Sequence, residues 1–251
     1  MERARGNLVA AEIEYLQRGP LKTLYEIVEA GDVGPGLVSA GEMEGLYTGT
    51  FSRKGTQSRD LYDKIKQGAP NGICPLCGSQ QIKTLDHYLA KTKHPALTIT
   101  PINLVPSCSD CNKAKGDSQA AADSDQHLHP YFDDVDDGEW LFATVVEASP
   151  PSLNYRADPP AAWPAPKRER VIAHFENLAH GFLFAALSSD QLPSMRTRLR
   201  RLLAAGGAQA VRNHLSEDLE GHKEERRNSW QIAMYAALVA SDWYCGGGFD
   251  A

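Results

Sequence analysis

The chain has 251 residues, of which 42% are hydrophobic and 23% are charged, a composition typical of a folded globular protein. Its longest apolar run, residues 232–240, is too short to cross a bilayer, and its first residues lack the apolar core of a signal peptide. We therefore expect a cytoplasmic protein without membrane segments. The formal net charge of −6 argues against a general nucleic-acid coat protein, because such proteins bind phosphates through Lys and Arg.

The charged residues are unevenly distributed along the chain. Residues 71–116 contain five lysines and two acids, a local balance of +3, whereas residues 121–160 contain nine acids and one arginine. The negative charge thus lies outside the segment that carries the motifs described below. It does not exclude a local phosphate-binding site.

Residues 1–70 are predicted to form a helical cap. Apolar residues recur at helical spacing over residues 8–30 and are interrupted at Gly19-Pro20, which predicts a helical hairpin. A Gly-rich stretch follows. Residues 57–67 predict another helix, which ends just before the first cysteine pair.

Four of the five cysteines form two Cys-x-x-Cys pairs, Cys74/Cys77 and Cys108/Cys111, separated by 30 residues. Four thiolates can complete a tetrahedral site, and sulfur ligands without a free coordination position favour a structural Zn²⁺ over a hard cation. In a cytosolic chain, two such pairs indicate metal binding rather than disulfides. We predict a zinc site, with Cys245 as a spare thiol.

Polar residues that could bind a metal ion or a phosphate lie between and just after the cysteine pairs. Asp86 and His87 follow a strand-like segment and can converge on one phosphate if the backbone loops or bulges there. The second pair opens a short predicted helix on which Asn112 and Lys115 share a face, so an amide oxygen can be held toward a hard metal ion. Lys113 and Lys115 can bind flanking phosphates, although lysines on a short exposed helix are as often simply solvated.

The second half of the chain is predicted to be mostly helical. Residues 139–148 predict a strand that adjoins a central module over residues 71–148, and the proline-rich residues 149–166 predict a linker. A C-terminal helical region over residues 167–251 follows. Its predicted helices cover residues 167–187, the segment from Pro193 to Gly206-Gly207, and a last long segment that runs to Cys245.

Two features of the C-terminal region are suited to binding. A basic cluster on the helix after Pro193 fits a phosphate backbone, but it fits a protein interface or a simply solvated helix face as well; it comprises Arg196, Arg198, Arg200 and Arg201. The last helix is apolar and aromatic, which favours a docking surface for a partner protein. Its candidate residues are Trp230, Ile232, Tyr235, Leu238 and Trp243.

The order of the central motifs resembles that of the HNH endonucleases. These motifs are Cys-x-x-Cys, Asp-His, Asn-Leu and Cys-x-x-Cys-Asn-x-x-Lys, and they lie within residues 71–116. Asp86-His87 matches the first motif position, Asn103 matches the middle asparagine, and Asn112 stands where many members have the final histidine. The chain thus resembles an H-N-N variant. Ala90 stands where the family often has a proline, a departure that concerns the loop geometry.

The resemblance implies an α+β fold and a role for each motif residue. A central ββα-metal module with a four-cysteine zinc knuckle would lie between the N-terminal helices and the C-terminal helical region. His87 would be the general base, Asp86 and Asn112 the ligands of a catalytic Mg²⁺ or Mn²⁺, and Asn103 the residue that binds the loop and orients His87. The expected reaction is hydrolysis of DNA to 5′-phosphate and 3′-hydroxyl ends, with RNA left open as a substrate.

A narrower resemblance concerns the segments LDHYLAK, TPINLVPSC, CNKAK and HPYFD, which are similar to those of HNH proteins in bacterial anti-phage defence loci, such as the nuclease partner of Septu-type systems. It implies a defence nuclease whose C-terminal helices dock an ATPase subunit. The alternative left open is a non-catalytic zinc-knuckle protein that binds nucleic acid or acts as a scaffold. A zinc-dependent nucleobase deaminase is excluded, because it needs a His-x-Glu motif and an open metal position.

Overall fold

The computed structural model of the chain describes residues 4–225 and 227–251. The chain divides into two compact units, Met1–Asp134 and Val135–Ala251. Each unit combines helices with a two-stranded antiparallel sheet. In the described residues, no helix has both the length and the apolar character needed to cross a bilayer.

The first unit begins with helix α1, Arg5–Leu21. It runs through Gly19-Pro20, so the predicted helical hairpin is wrong. Pro20 lies in the last turn of the helix, and the chain leaves that turn at Lys22 through a left-handed backbone conformation. Gly19 is required at its position because the ring of Phe132 packs where a side chain would stand. The glycine therefore makes room for the Phe132 ring and does not break the helix.

Two shorter helices follow α1. Helix α2, Ala40–Leu46, lies in the Gly-rich stretch, where no helix was predicted, and begins with a capping box in which Ser39 and Glu42 satisfy each other's backbone N–H groups. Helix α3, Arg59–Gln67, agrees with the prediction of a helix over residues 57–67.

A small sheet and a helix complete the centre of the first unit. Strand β1, Thr84–His87, pairs antiparallel with strand β2, Leu104–Ser107, and His87 stands opposite Leu104. Helix α4, Ser109–Lys115, follows β2 directly. Aromatic side chains from the N-terminal segment cover one face of the strands, so residues 1–70 belong to the same unit as the sheet. That core consists of Tyr47, Phe51, Tyr62, Leu85 and Leu104.

The second unit opens with strands β3, Leu141–Val146, and β4, Ser152–Ala157, which pair antiparallel. The predicted linker over residues 149–166 is therefore wrong, because its centre forms β4. Five of the six prolines of that segment lie in the connections on either side, and Pro166 lies in the first turn of the next helix. Leu153 and Tyr155 alternate inward along the strand. The predicted strand exists, but it belongs to the second unit and not to the module over residues 71–148.

The remaining helices are α5, Ala165–Asn177; α6, His180–Glu225; α7, Trp230–Ala240; and α8, Asp242–Cys245. Helices α5 to α7 pack on the second sheet, and the short α8 packs against α6 and α7. Helix α6 is interrupted at Gly206 and Gly207, as predicted, because Gly207 has a φ of +66°. It runs through Pro193, whose ring is exposed, so the predicted helix start at Pro193 is wrong. The predicted last long helix is divided at Ser241, which caps α8.

Candidate functional site

Cys74, Cys77, Cys108 and Cys111 form one buried cluster in which the four sulfurs lie within 4.8 Å of one another. This spacing fits a tetrahedral zinc, for which each Zn–S bond is about 2.3 Å long. The crowded sulfurs perturb one another, and contact with Cys108 contributes most to raising the pKa of Cys111. Four thiolates at this spacing repel one another unless a cation holds them. The donor set thus fits a closed structural zinc site.

Two local structures bring the cysteines together. In the first pair, Gly78 has a φ of +64° and donates its N–H to the carbonyl of Cys74 at 2.7 Å, which closes a tight turn. In the second pair, Cys108 caps α4 and its sulfur accepts the backbone N–H of Cys111 at 3.4 Å. The cysteine cluster therefore joins the start of α4 to the turn ahead of β1.

His87 ends β1 and is held by the loop between the two strands. Its Nε2 lies 2.8 Å from the backbone oxygen of Thr98. A carbonyl oxygen only accepts hydrogen bonds, so Nε2 carries the proton and, in the neutral ring, Nδ1 keeps its lone pair. Burial lowers the pKa of His87 to about 4. The imidazole is therefore neutral near pH 7 and available as a proton acceptor.

Strands β1 and β2 pair without a bulge, so the sequence condition for Asp86 and His87 to converge is not met. The His87 ring packs against Tyr47, whereas Asp86, which is 7% exposed, faces Lys115 on α4. The Oδ2 of Asp86 is 3.3 Å from the ammonium nitrogen of Lys115. Burial raises the pKa of Asp86 to about 6, and the charge of Lys115 opposes this rise. A buried carboxylate in this setting favours a neighbouring positive charge.

Asn103 is 0% exposed and anchors the loop between β1 and β2. Its Oδ1 accepts the backbone N–H of Leu89 at 2.8 Å, and its Nδ2 donates to the carbonyls of Leu89 and Leu97 at 3.0 and 3.1 Å. Its own carbonyl accepts the N–H of Tyr88 at 2.8 Å. These bonds fix the two ends of the loop that carries Thr98, the partner of His87.

The remaining motif residues lie on α4. Asn112 is half-buried and stands one turn before Lys115, so it shares the helix face that contacts β1. Lys113 is exposed on the opposite side. Lys115 is 4% exposed, which differs from the expectation of a solvated lysine that reaches phosphates. The difference arises because Lys115 is drawn inward by Asp86 and by the carbonyl of His87.

Two residues near His87 were not singled out by the sequence. Thr98 supplies the carbonyl that orients the imidazole, a backbone role that no side-chain pattern reveals. Tyr47 packs edge-on against the His87 ring, with centroids 4.6 Å apart, and its hydroxyl lies 3.4 Å from the carbonyl of Leu85. Tyr47 precedes β1 by nearly forty positions, so only the packing of the N-terminal segment brings it to the site.

The binding candidates of the second unit have mixed outcomes. Arg198 and Arg201 are exposed, whereas Arg200 forms an ion pair with Asp250 at 2.6 Å and Arg196 is half-buried. Trp230, Tyr235 and Leu238 are buried in the core of the unit, and Ile232 and Trp243 are half-buried. The three buried side chains stabilise the unit and cannot form part of the predicted docking surface. Docking of an ATPase on the C-terminal helices stays a prediction.

Comparison with known proteins gives one clear relationship. The chain is 30% identical over 215 residues to Protein ea31 of Escherichia phage lambda, and the match covers 80% of this chain and 72% of the phage protein. The chain belongs to the Ea31 family. The aligned stretch is longer than either unit, so the Ea31 relationship includes parts of both.

The other comparisons add no relative of known activity. No protein-family model matches the chain. No solved structure matches it either.

Proposed function

We propose that this member of the Ea31 family is a divalent-metal-dependent endonuclease of the HNH class that hydrolyses DNA and leaves 5′-phosphate and 3′-hydroxyl ends. The observation that carries the proposal is the state of His87. Its ring is neutral, its Nε2–H is bound by the Thr98 carbonyl, and its Nδ1 lone pair is left to accept a proton. It follows Asp86 in strand β1, in an antiparallel strand pair followed by a helix whose start the cysteine cluster holds in place.

His87 acts in this proposal as the general base. Hydrolysis of a phosphodiester requires removal of a proton from the attacking water, and a fixed imidazole can accept it. The Thr98 carbonyl keeps the Nε2–H tautomer and becomes a stronger partner once the ring is protonated. Asn103 supports this arrangement because it fixes the loop that contains Thr98.

Asp86 and Asn112 would hold the catalytic Mg²⁺ or Mn²⁺. Both offer oxygen donors, which hard divalent ions prefer, and the contact between Lys115 and Asp86 brings the Asn112 face of α4 toward β1. When bound, such an ion stabilises negative charge on the phosphate and on the leaving oxygen. The buried carboxylate of Asp86 fits this role, because burial strengthens its preference for a nearby cation.

The substrate and the biological role follow from exposed basic residues and from the motif resemblance. Lys113 is the exposed lysine of α4, and Arg198 and Arg201 are exposed basic residues of the second unit; these residues would contact the DNA backbone. Action as the nuclease effector of a bacterial defence system, together with an ATPase partner, rests on the motif resemblance alone.

The alternative is a non-catalytic zinc-knuckle subunit that binds nucleic acid or acts as a scaffold. One observation favours it: Lys115 already neutralises the buried carboxylate of Asp86. A site without a catalytic metal ion would need such an ion pair as well. A cleavage assay separates the two candidates.

The assay compares plasmid DNA and a matched RNA with the zinc-loaded protein in the presence of Mg²⁺ or Mn²⁺. The wild type should cut DNA, and His87→Ala should lower the single-turnover rate by about 10²- to 10⁴-fold, the usual contribution of a general base. His94→Ala is the matched control, because His94 is also a buried histidine of the first unit and contacts Gln119 instead of the site. Equal rates for the wild type and His87→Ala would favour the non-catalytic alternative.

A further inference from the structure

Lys115 is the last residue of α4 and is almost fully buried. Its ammonium nitrogen lies 2.7 Å from the backbone oxygen of His87 and 3.3 Å from Oδ2 of Asp86. Lys113, two residues earlier on the same helix, is exposed. Two lysines of one short helix thus have opposite surroundings.

The burial of Lys115 requires both of its partners. An ammonium group inside a protein is costly unless a carboxylate or carbonyl oxygens satisfy it. In the residues that the structure describes, Lys115 is the one ion-pair partner of Asp86. A contact with a phosphate outside the fold would require this ammonium to leave both oxygens.

We propose that Lys115 is a positioning residue that competes with the catalytic divalent ion for the carboxylate of Asp86. This inference rests on the proposed function, because it takes Asp86 as a ligand of that ion. Without the ion, the ammonium neutralises the carboxylate and holds it in place. A positive charge at this distance repels an arriving cation, so metal binding to the free protein is weaker than the carboxylate alone would allow.

The second contact of Lys115 keeps the site folded when the divalent ion replaces the ammonium beside the Asp86 carboxylate. The carbonyl of His87 retains the ammonium when the carboxylate turns to the ion, so the end of α4 stays tied to β1. A phosphate of the nucleic acid adds negative charge at the site and shifts the balance toward the divalent ion. Lys115 thereby couples metal binding to substrate binding.

The test measures Mn²⁺ binding to the zinc-loaded full chain by electron paramagnetic resonance, without nucleic acid and without any cleavage. Lys115→Met removes the charge, and Lys115→Gln removes the charge but keeps a donor for the His87 carbonyl. Both variants should bind Mn²⁺ at least about tenfold more tightly than the wild type, because the repelling charge is gone. Lys64→Met, at an exposed position of α3, should bind Mn²⁺ like the wild type.

Asp86→Asn separates failure of this inference from failure of the proposed function. If it loses Mn²⁺ binding, the carboxylate is a ligand, and unchanged or weaker binding in the Lys115 variants then overturns the competition alone. If Asp86→Asn binds Mn²⁺ like the wild type, the proposed metal site is wrong and the inference falls with it. Should both Lys115 variants be unstable without metal, added Mn²⁺ should raise their unfolding temperatures more than that of the wild type, and equal shifts would overturn the proposal.

Discussion

At the scale of single residues, Asn103 shows how a buried amide can position the proposed general base, His87, without touching it. Its three side-chain hydrogen bonds end on backbone groups of Leu89 and Leu97, and the loop they fix carries the carbonyl that binds His87. Each of those backbone groups would be left unsatisfied if the amide were removed. If His87 is the general base, stability and catalysis therefore both depend on Asn103.

We expect Asn103→Leu to lower the free energy of unfolding by about 3 kcal/mol or more, because each unsatisfied buried group costs about 1–3 kcal/mol. The rate of DNA cleavage should fall as well, since the loop no longer holds His87, while the zinc content stays unchanged. Urea unfolding and single-turnover cleavage measure the two effects. Asn154→Leu, at an exposed position of β4, should change neither by much. Wild-type stability in Asn103→Leu would contradict the assigned role of the amide.

The sequence identified those residues of the site that belong to a local sequence motif. Asp86, His87 and Asn103 stand out because their order resembles a known pattern. The surroundings of Lys115 could not be read in the same way, because helical spacing shows which residues share a face but not which face turns inward. Tyr47 and Thr98 were missed because one acts through long-range packing and the other through its backbone.

At the scale of secondary-structure elements, the cysteine cluster stabilises strands and a helix that are too short to form a large apolar core. Strands β1 and β2 have four residues each and α4 has seven, so these elements bury little apolar surface of their own. The cluster links the turn before β1 to the start of α4. Metal binding in such small sites contributes directly to the free energy of folding.

The purified chain should therefore contain about one zinc per molecule, and Cys108→Ser should lose it together with soluble expression or cleavage activity. Elemental analysis by mass spectrometry gives the zinc content, and circular dichroism follows the fold. Cys245→Ser is the matched control, because Cys245 is a buried free thiol of the second unit, far along the chain from the cluster. Folded protein without zinc, or equal zinc loss in both variants, would refute the assignment.

Elements were predictable where side-chain chemistry acts locally. The cysteine turns, α3 and the break at Gly206-Gly207 follow from spacing or from backbone freedom. The prolines misled the prediction at both ends of the chain. Pro20 occupies the last turn of α1 and Pro193 turns an exposed ring outward within α6, so neither ends its helix. Whether a helix tolerates a proline depends on the packing around it, which the sequence does not show.

At the scale of the whole molecule, all the motif residues of the proposed active site lie in the first unit, Met1–Asp134. That unit has its own aromatic core around β1 and β2 and its own cysteine cluster. The predicted boundary at residue 148 instead adds strand β3, whose hydrogen-bonding partner β4 lies further along the chain. Fragments that end at residue 134 and at residue 148 should therefore differ in stability.

A fragment of residues 1–134 should fold, bind one zinc and unfold cooperatively, because its core and its metal ligands are complete. A fragment of residues 1–148 should keep the zinc but aggregate more readily, since an unpaired β3 exposes its backbone and apolar side chains for pairing with another chain. Size-exclusion chromatography, zinc content and thermal unfolding compare the two. If the proposed function is right, the shorter fragment should also cut DNA in a metal-dependent manner, with weaker binding because Arg198 and Arg201 are absent. A 1–134 fragment that is unfolded while 1–148 is monomeric and stable would show that the boundary lies beyond β3.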